Sequence, residues 1–191
     1  VENMPHRGLV GLQAEMGKGK TVSIRKWLNG ITPDQQIIFV FSRIALGRSL
    51  AEILTECKEN GVPWIDDINV ERFNQGYAGN KIALCYDSLH KIKNLKIRSG
   101  LTIVIDEVEA GLSHLLTSST LKENRGINVQ TFVNLLNKAD ETGCVLVADA
   151  TLRKSTVKYL KQFMPISNVK LLINTDKPKQ RNVIIVKGKK G

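Results

Sequence analysis

Short apolar runs recur along the chain, and longer stretches with apolar residues at helical spacing separate them. The runs fall at 9–12, 37–41, 82–85, 101–105, 144–148, 169–173 and 183–186. They are continuous rather than alternating, which is the pattern of parallel strands covered on both faces. Helical patterns follow Thr21, Arg43, Asp87, Glu109 and Leu152. Between 45 and 58, Leu46, Leu50, Ile53 and Leu54 form a core-facing stripe that Asn60-Gly61 closes. This alternation predicts an α/β fold: a mostly parallel sheet of about seven strands with helices on both faces. Two polar stretches break the rhythm. Residues 66–80, with Gly76, Gly79 and three Asn, read as a surface loop, and 118–128 reads as a mobile interruption of the helical region after Glu109.

Directly after the first run stands Ala14-Glu15-Met16-Gly17-Lys18-Gly19-Lys20-Thr21, and a helical pattern from Val22 to Asn29, stopped by Gly30, follows it. Strand, glycine-rich turn and helix in this order make a phosphate-binding loop. Gly17 and Gly19 let the backbone turn so that successive N–H groups and the helix start face phosphate oxygens. Lys20 reaches the β- and γ-phosphates, and the Thr21 hydroxyl is a Mg²⁺ ligand. Met16, Gly17, Lys18, Gly19, Lys20 and Thr21 are therefore the predicted nucleotide contacts. A Gly/Lys-rich surface turn matches the same letters but lacks the flanking strand and helix.

The other half of such a site is carboxylate. Ile103-Val104-Ile105 is a β-branched run ending in Asp106-Glu107-Val108-Glu109, and acids at the carboxyl end of a parallel strand face the ligand crevice. Asp106 is placed to hold Mg²⁺ and Glu107 to orient and deprotonate the attacking water, since phosphoryl transfer needs positioning and charge neutralisation. Lys20 and Glu107 are the catalytic candidates. Glu109 reads as the start of the next helix, where an acid also suits the dipole.

Composition narrows the partners. The 191 residues, 42% of them hydrophobic, suit one large α/β domain, expected over 1–175 with a basic linker at 176–191. A net charge of +10 favours a polyanion. Lys177, Lys179, Arg181, Lys187, Lys189 and Lys190 are either a solvated linker or an arm for nucleic acid. Aromatic residues, at 5%, are too few for base stacking to dominate a strand contact, so backbone phosphates are the expected target. Cys57, Cys85 and Cys144 have no C-x-x-C spacing and read as reduced core thiols, and the three His show no metal spacing. With no spanning apolar run and no signal-peptide pattern, a cytoplasmic location without membrane contact is expected. The start at Val1 and the basic end read as a piece of a longer protein.

With these residues in place the chain resembles, over nearly its whole length, the first RecA-like domain of a superfamily-two helicase. That family's loop has the form A-x-x-G-x-G-K-T, matched from Ala14 to Thr21 at every fixed position. Phe41-Ser42-Arg43-Ile44-Ala45-Leu46 is similar to the R-x-x-L element that contacts the nucleic-acid backbone, which implies that role for Arg43. Cys85-Tyr86-Asp87-Ser88-Leu89-His90 resembles the segment whose Ser or Thr helps hold the strand's phosphates; Ser88 is that residue, or else a helix N-cap. Ala148-Asp149-Ala150-Thr151 stands where the family couples hydrolysis to strand contact, with Asp149 an additional carboxylate of open role. Asp-Glu-Val-Glu departs from the DEAD-box signature, and the wording at 105–109 and 148–152 is similar to herpesvirus origin-binding helicases and cyanobacterial plasmid replication helicases. The resemblance implies an ATP- and Mg²⁺-dependent DNA helicase or translocase of replication, with DNA as partner rather than RNA. No Q-x-x-G-R-x-x-R element is present, so the second RecA-like domain with its arginine finger is expected elsewhere in the full-length chain, and the isolated chain is expected to hydrolyse ATP weakly. The competing reading is a P-loop ATPase that switches a protein partner; a small-molecule kinase lacks its arginine-rich lid here.

Overall fold

A computed structural model of the chain describes residues 4–15, 18–32, 35–42, 81–97 and 100–174. Among the described residues, six strands form one sheet: β1 (Gly8–Gln13), β2 (Gln36–Phe41), β3 (Lys81–Cys85), β4 (Leu101–Asp106), β5 (Cys144–Asp149) and β6 (Val169–Ile173). Their order is β3-β2-β4-β5-β1-β6, with every pair parallel. Each strand overlaps a predicted apolar run. The candidate run at 183–186, the helical stripe at 45–58 and the helix start at Arg43, the loop at 66–80 and the linker at 176–191 lie outside the described residues.

Among the described residues, four α-helices lie between the strands: α1 (Lys20–Leu28), α2 (Val108–Thr117), α3 (Arg125–Thr142) and α4 (Lys154–Gln162). A parallel sheet has to cover both faces, because its strands are apolar on both. One face packs Ile38, Ile103, Ile105 and Val145 against Leu115, Phe132, Leu136 and Leu160 of α2, α3 and α4. The other packs Val10, Phe39, Val104 and Leu146 against Ile24, Trp27 and Leu28 of α1. The segment before β1 closes over α1, where the His6 ring stacks on Trp27 and the Trp27 indole N–H donates to the Pro5 carbonyl at 3.2 Å. Cys85 and Cys144 are buried and free, and burial pushes the Cys144 thiol up to about 12, as a reduced core thiol requires. No helix among the described residues is long and apolar enough to cross a membrane.

Two expectations are corrected. The helix predicted after Asp87 is a 3₁₀ helix that starts one residue earlier, Tyr86–Ile92. Its backbone is satisfied from outside: the buried Asn128 side chain accepts from the His90 N–H at 2.6 Å and donates to the Asp87 carbonyl at 3.3 Å. The stretch 118–128, read as mobile, is tied down along its length. Leu121 is buried, the Thr120 hydroxyl donates to Asp87 at 2.9 Å, the Arg125 guanidinium donates to the Ser118 carbonyl, and α3 already begins at Arg125.

Helix α2 and the 3₁₀ helix approach so closely at one point that only glycine fits. A Cβ on Gly111 would stand 2.3 Å from the Tyr86 ring. Alanine gains about 1 kcal/mol in helix propensity, while overpacking of a fixed aromatic costs about 1–3 kcal/mol. Gly111→Ala is therefore expected to lower stability in denaturant unfolding, and unchanged stability would show that the Tyr86 ring can step aside.

Candidate nucleotide site

The sheet order brings the chemistry together. Strands β4, β5 and β1 are neighbours, with Asp106 beside Ala148 and Asp149 beside Gln13, so the residues that follow all three emerge along one edge. The chain leaves β1 through α1 and returns to β2 on the far side of β4 and β5, which makes this edge a crossover point where α/β sheets bind ligands.

Gly19 caps α1 in the left-handed conformation, φ 76 and ψ 22. No atom lies within 4 Å of where its Cβ would be. Glycine is required there by backbone angle rather than by crowding, and that angle turns the loop so that the helix start faces the crevice. No side chain caps α1, whose first-turn N–H groups are available to an anion. Lys20 opens the helix and Thr21 is next to it, half-buried. Lys18 folds back through its N–H to the Glu15 carbonyl at 3.2 Å. Met16 and Gly17 lie outside the described residues. Beside the loop opens a cleft of about 300 Å³ lined by Met4, Ala14, Lys18, Lys20, Ser23 and Ile173.

Asp106 ends β4 largely withdrawn from water. Burial pushes its carboxyl above the usual carboxylate range; the Lys20 ammonium and the Glu107 N–H pull it down, and the nearby charges of Glu107 and Asp149 push it up again. Glu107 caps α2 with φ 51 and ψ 49, and its carboxylate accepts from the Ser42 hydroxyl at 2.9 Å. The Thr21 hydroxyl and the Asp106 carboxylate are hard oxygen donors, which fit Mg²⁺ rather than a softer metal.

Asp149, whose role the sequence left open, is a tie. One carboxylate oxygen accepts from the Thr151 N–H at 2.9 Å and from its hydroxyl at 3.2 Å, an Asx turn, while the other accepts from the Glu109 N–H at 3.0 Å. Glu109 does lie in the first turn of α2, and its carboxylate reaches the N-terminus of α4 by accepting from the Arg153 N–H at 2.8 Å. Sequence reasoning missed Ser42, Glu109 and Arg153 as parts of this arrangement, because their partners are 65 and 44 residues away. Ser88 sits inside the 3₁₀ helix, 6% exposed, with its hydroxyl 3.5 Å from the Cys85 sulfur. It is not the N-cap, a position held by Cys85. Arg43 lies outside the described residues.

Comparison with known proteins agrees with this architecture. A profile of the family described as "Origin of replication binding protein" matches residues 4–178. An uncharacterized protein of Picosynechococcus sp. is 29% identical over 195 residues, covering 94% of this chain and 18% of that protein. The replication origin-binding protein of human herpesvirus 6B is 23% identical over 168 residues, 86% of this chain and 19% of the relative. The chain thus spans about a fifth of the length of these relatives. Among solved structures, a hypothetical ATP-dependent RNA helicase from Sulfolobus tokodaii overlays with TM-score 0.60 at 13% identity, over 86% of this chain and 48% of that one. Saccharomyces cerevisiae Dbp5 bound to RNA and ADP BeF3 overlays with TM-score 0.58 at 19% identity, over 91% of this chain and 44% of that one. The overlays carry the fold alone, a RecA-like α/β domain, and the profile match carries the family: the chain belongs to the origin of replication binding protein family.

Proposed function

We propose that this domain is the ATP-binding lobe of a nucleic-acid motor, a helicase or translocase acting on DNA in replication, whose second RecA-like lobe lies in the longer protein. The observation that carries the reading is the convergence of the Gly19 turn, Lys20 and the Asp106-Glu107 pair on one edge of a crossover sheet. The start of α1 holds the nucleotide's phosphates, Lys20 neutralises the β- and γ-phosphates, and Thr21 and Asp106 hold Mg²⁺. When bound, Mg²⁺ supplies charge neutralisation on the transferring phosphoryl group. Glu107 orients the attacking water and takes its proton. The +10 charge supports a phosphate-backbone partner, with Arg43 as a contact. Ser88 is the second candidate for that contact, 6% exposed with its hydroxyl 3.5 Å from the Cys85 sulfur.

The Asp149, Thr151, Glu109 and Arg153 tie fits a coupling role, because it joins the helix after the acid pair to the helix after β5 in both directions. Movement of either helix is then felt by the other.

Lys20→Ala should abolish binding of a fluorescent ATP analogue, whereas Glu107→Gln should keep the affinity and lose hydrolysis. Unchanged binding by Lys20→Ala would sink the assignment. Arg43→Ala should lower the slope of log affinity for single-stranded DNA against log salt by about one unit or less; an unchanged slope and affinity would make Arg43 an ordinary surface charge. Asp149→Ala strips an acceptor from three donors, and with unsatisfied buried donors costing roughly 1–3 kcal/mol each before water recovers part of it, a clear drop in melting temperature is expected, with Asp149→Asn intermediate. Residues 1–191 alone should bind ATP but turn it over near background, because a missing arginine finger costs about 10³ to 10⁵ in rate. Robust DNA-stimulated turnover by the isolated chain would contradict the two-lobe motor.

A further inference from the structure

Glu107 is the one non-glycine among the described residues with a positive φ. A left-handed non-glycine residue persists when its surroundings over-determine it, and such residues cluster where function needs a fixed geometry. Two of the bonds that hold Glu107 are local. Its N–H donates to Asp106 at 3.0 Å, and its carbonyl accepts from the Gly111 N–H at 2.9 Å. Neither touches the carboxylate, which is the group that has to be aimed.

The carboxylate is held from another strand. Val40 of β2 pairs with Ile105 of β4, so two residues further along both chains Ser42 comes level with Glu107. There its hydroxyl donates to Glu107 Oε2 at 2.9 Å, across 65 residues of sequence. Ser42 is half-buried and follows the last residue of β2, so its backbone is set by the sheet. A hydroxyl on a short, sheet-anchored side chain holds its acceptor to one direction, whereas a free glutamate samples several rotamers. Ser42 also stands immediately before Arg43, the proposed phosphate contact.

We infer that Ser42 is a positioning residue for the Glu107 carboxylate, and that through it the end of β2 acts on the water-orienting group. This rests on the proposed hydrolytic role of Glu107. A seryl donor placed only to stabilise the fold would leave turnover unchanged once the protein is folded. A donor that aims the carboxylate acts on the chemical step and leaves nucleotide affinity alone.

The test is steady-state ATP hydrolysis by the full-length protein, with and without single-stranded DNA, for Ser42→Ala, Ser42→Thr and Glu107→Gln. Loss of a hydrogen bond to a charged group should lower kcat on the order of tenfold in Ser42→Ala. KM for ATP should stay within about twofold, since ground-state binding does not use the bond, and the stimulation by DNA should shrink. Ser42→Thr keeps the hydroxyl and should recover both. If Ser42→Ala does not fold, Ser42→Cys, with similar volume and a far weaker donor, should show the same fall. Wild-type kcat and stimulation in Ser42→Ala, or a Ser42→Thr variant as slow as Ser42→Ala, would overturn the inference. If Glu107→Gln itself hydrolyses ATP normally, the reading of Glu107 fails, a result distinct from a silent Ser42→Ala beside an inactive Glu107→Gln.

Discussion

A carboxylate that the fold only partly hydrates sets the terms for everything around it. Asp106 closes a buried strand, burial disfavours its charge, and Glu107 and Asp149 add like charge nearby. Lys20, brought in by a glycine turn on a strand two places away, offsets part of that cost. On the proposed reading, Lys20, the half-buried Asp106 and the uncapped N–H groups of α1, on one sheet edge, serve an anion and a cation together. A metal-bound nucleoside triphosphate is the ligand proposed for this edge.

The geometry behind that site is a set of carboxylates used as rods between strand ends. Asp149 spans from its own turn to α2, Glu109 spans back from α2 to α4, and Glu107 meets Ser42 from β2. Three segments that are remote in sequence are thereby joined along one edge of the sheet. Since the sheet beneath is close-packed on both faces, displacement at one of these ends passes to its neighbours rather than dissipating in the core. A motor lobe needs this property if a phosphate is to be felt at a strand contact.

The sheet was legible because parallel strands buried on both faces leave continuous apolar runs. The same criterion set half of the boundaries one residue short. Gly8, Gln13, Gln36, Lys81, Asp106 and Asp149 are strand ends that no hydrophobic run includes. Strand β6 was found at its full extent although Val169, Leu171 and Ile173 are 41%, 42% and 59% exposed, since its apolar character does not depend on being covered in the described residues. The turn at Gly19 before α1 and the acid pair at the end of β4 were placed from the sequence because their patterns are local. The 3₁₀ form after β3 was not, as it rests on Asn128, 41 residues from Asp87. The Asx turn at Asp149 was within reach of a local reading, Asp-x-Thr after a strand, whereas the bond from Ser42 to Glu107 exists only once β2 and β4 are paired.

The most direct measurement is a crystal structure of this chain grown with Mg²⁺ and a non-hydrolysable ATP analogue. The account predicts the β- and γ-phosphates seated on the N-terminus of α1 against Lys20, with the metal between them, Thr21 and Asp106. An analogue bound elsewhere on the chain, or an empty crevice with Lys20 and Asp106 undisturbed at saturating analogue, would contradict it.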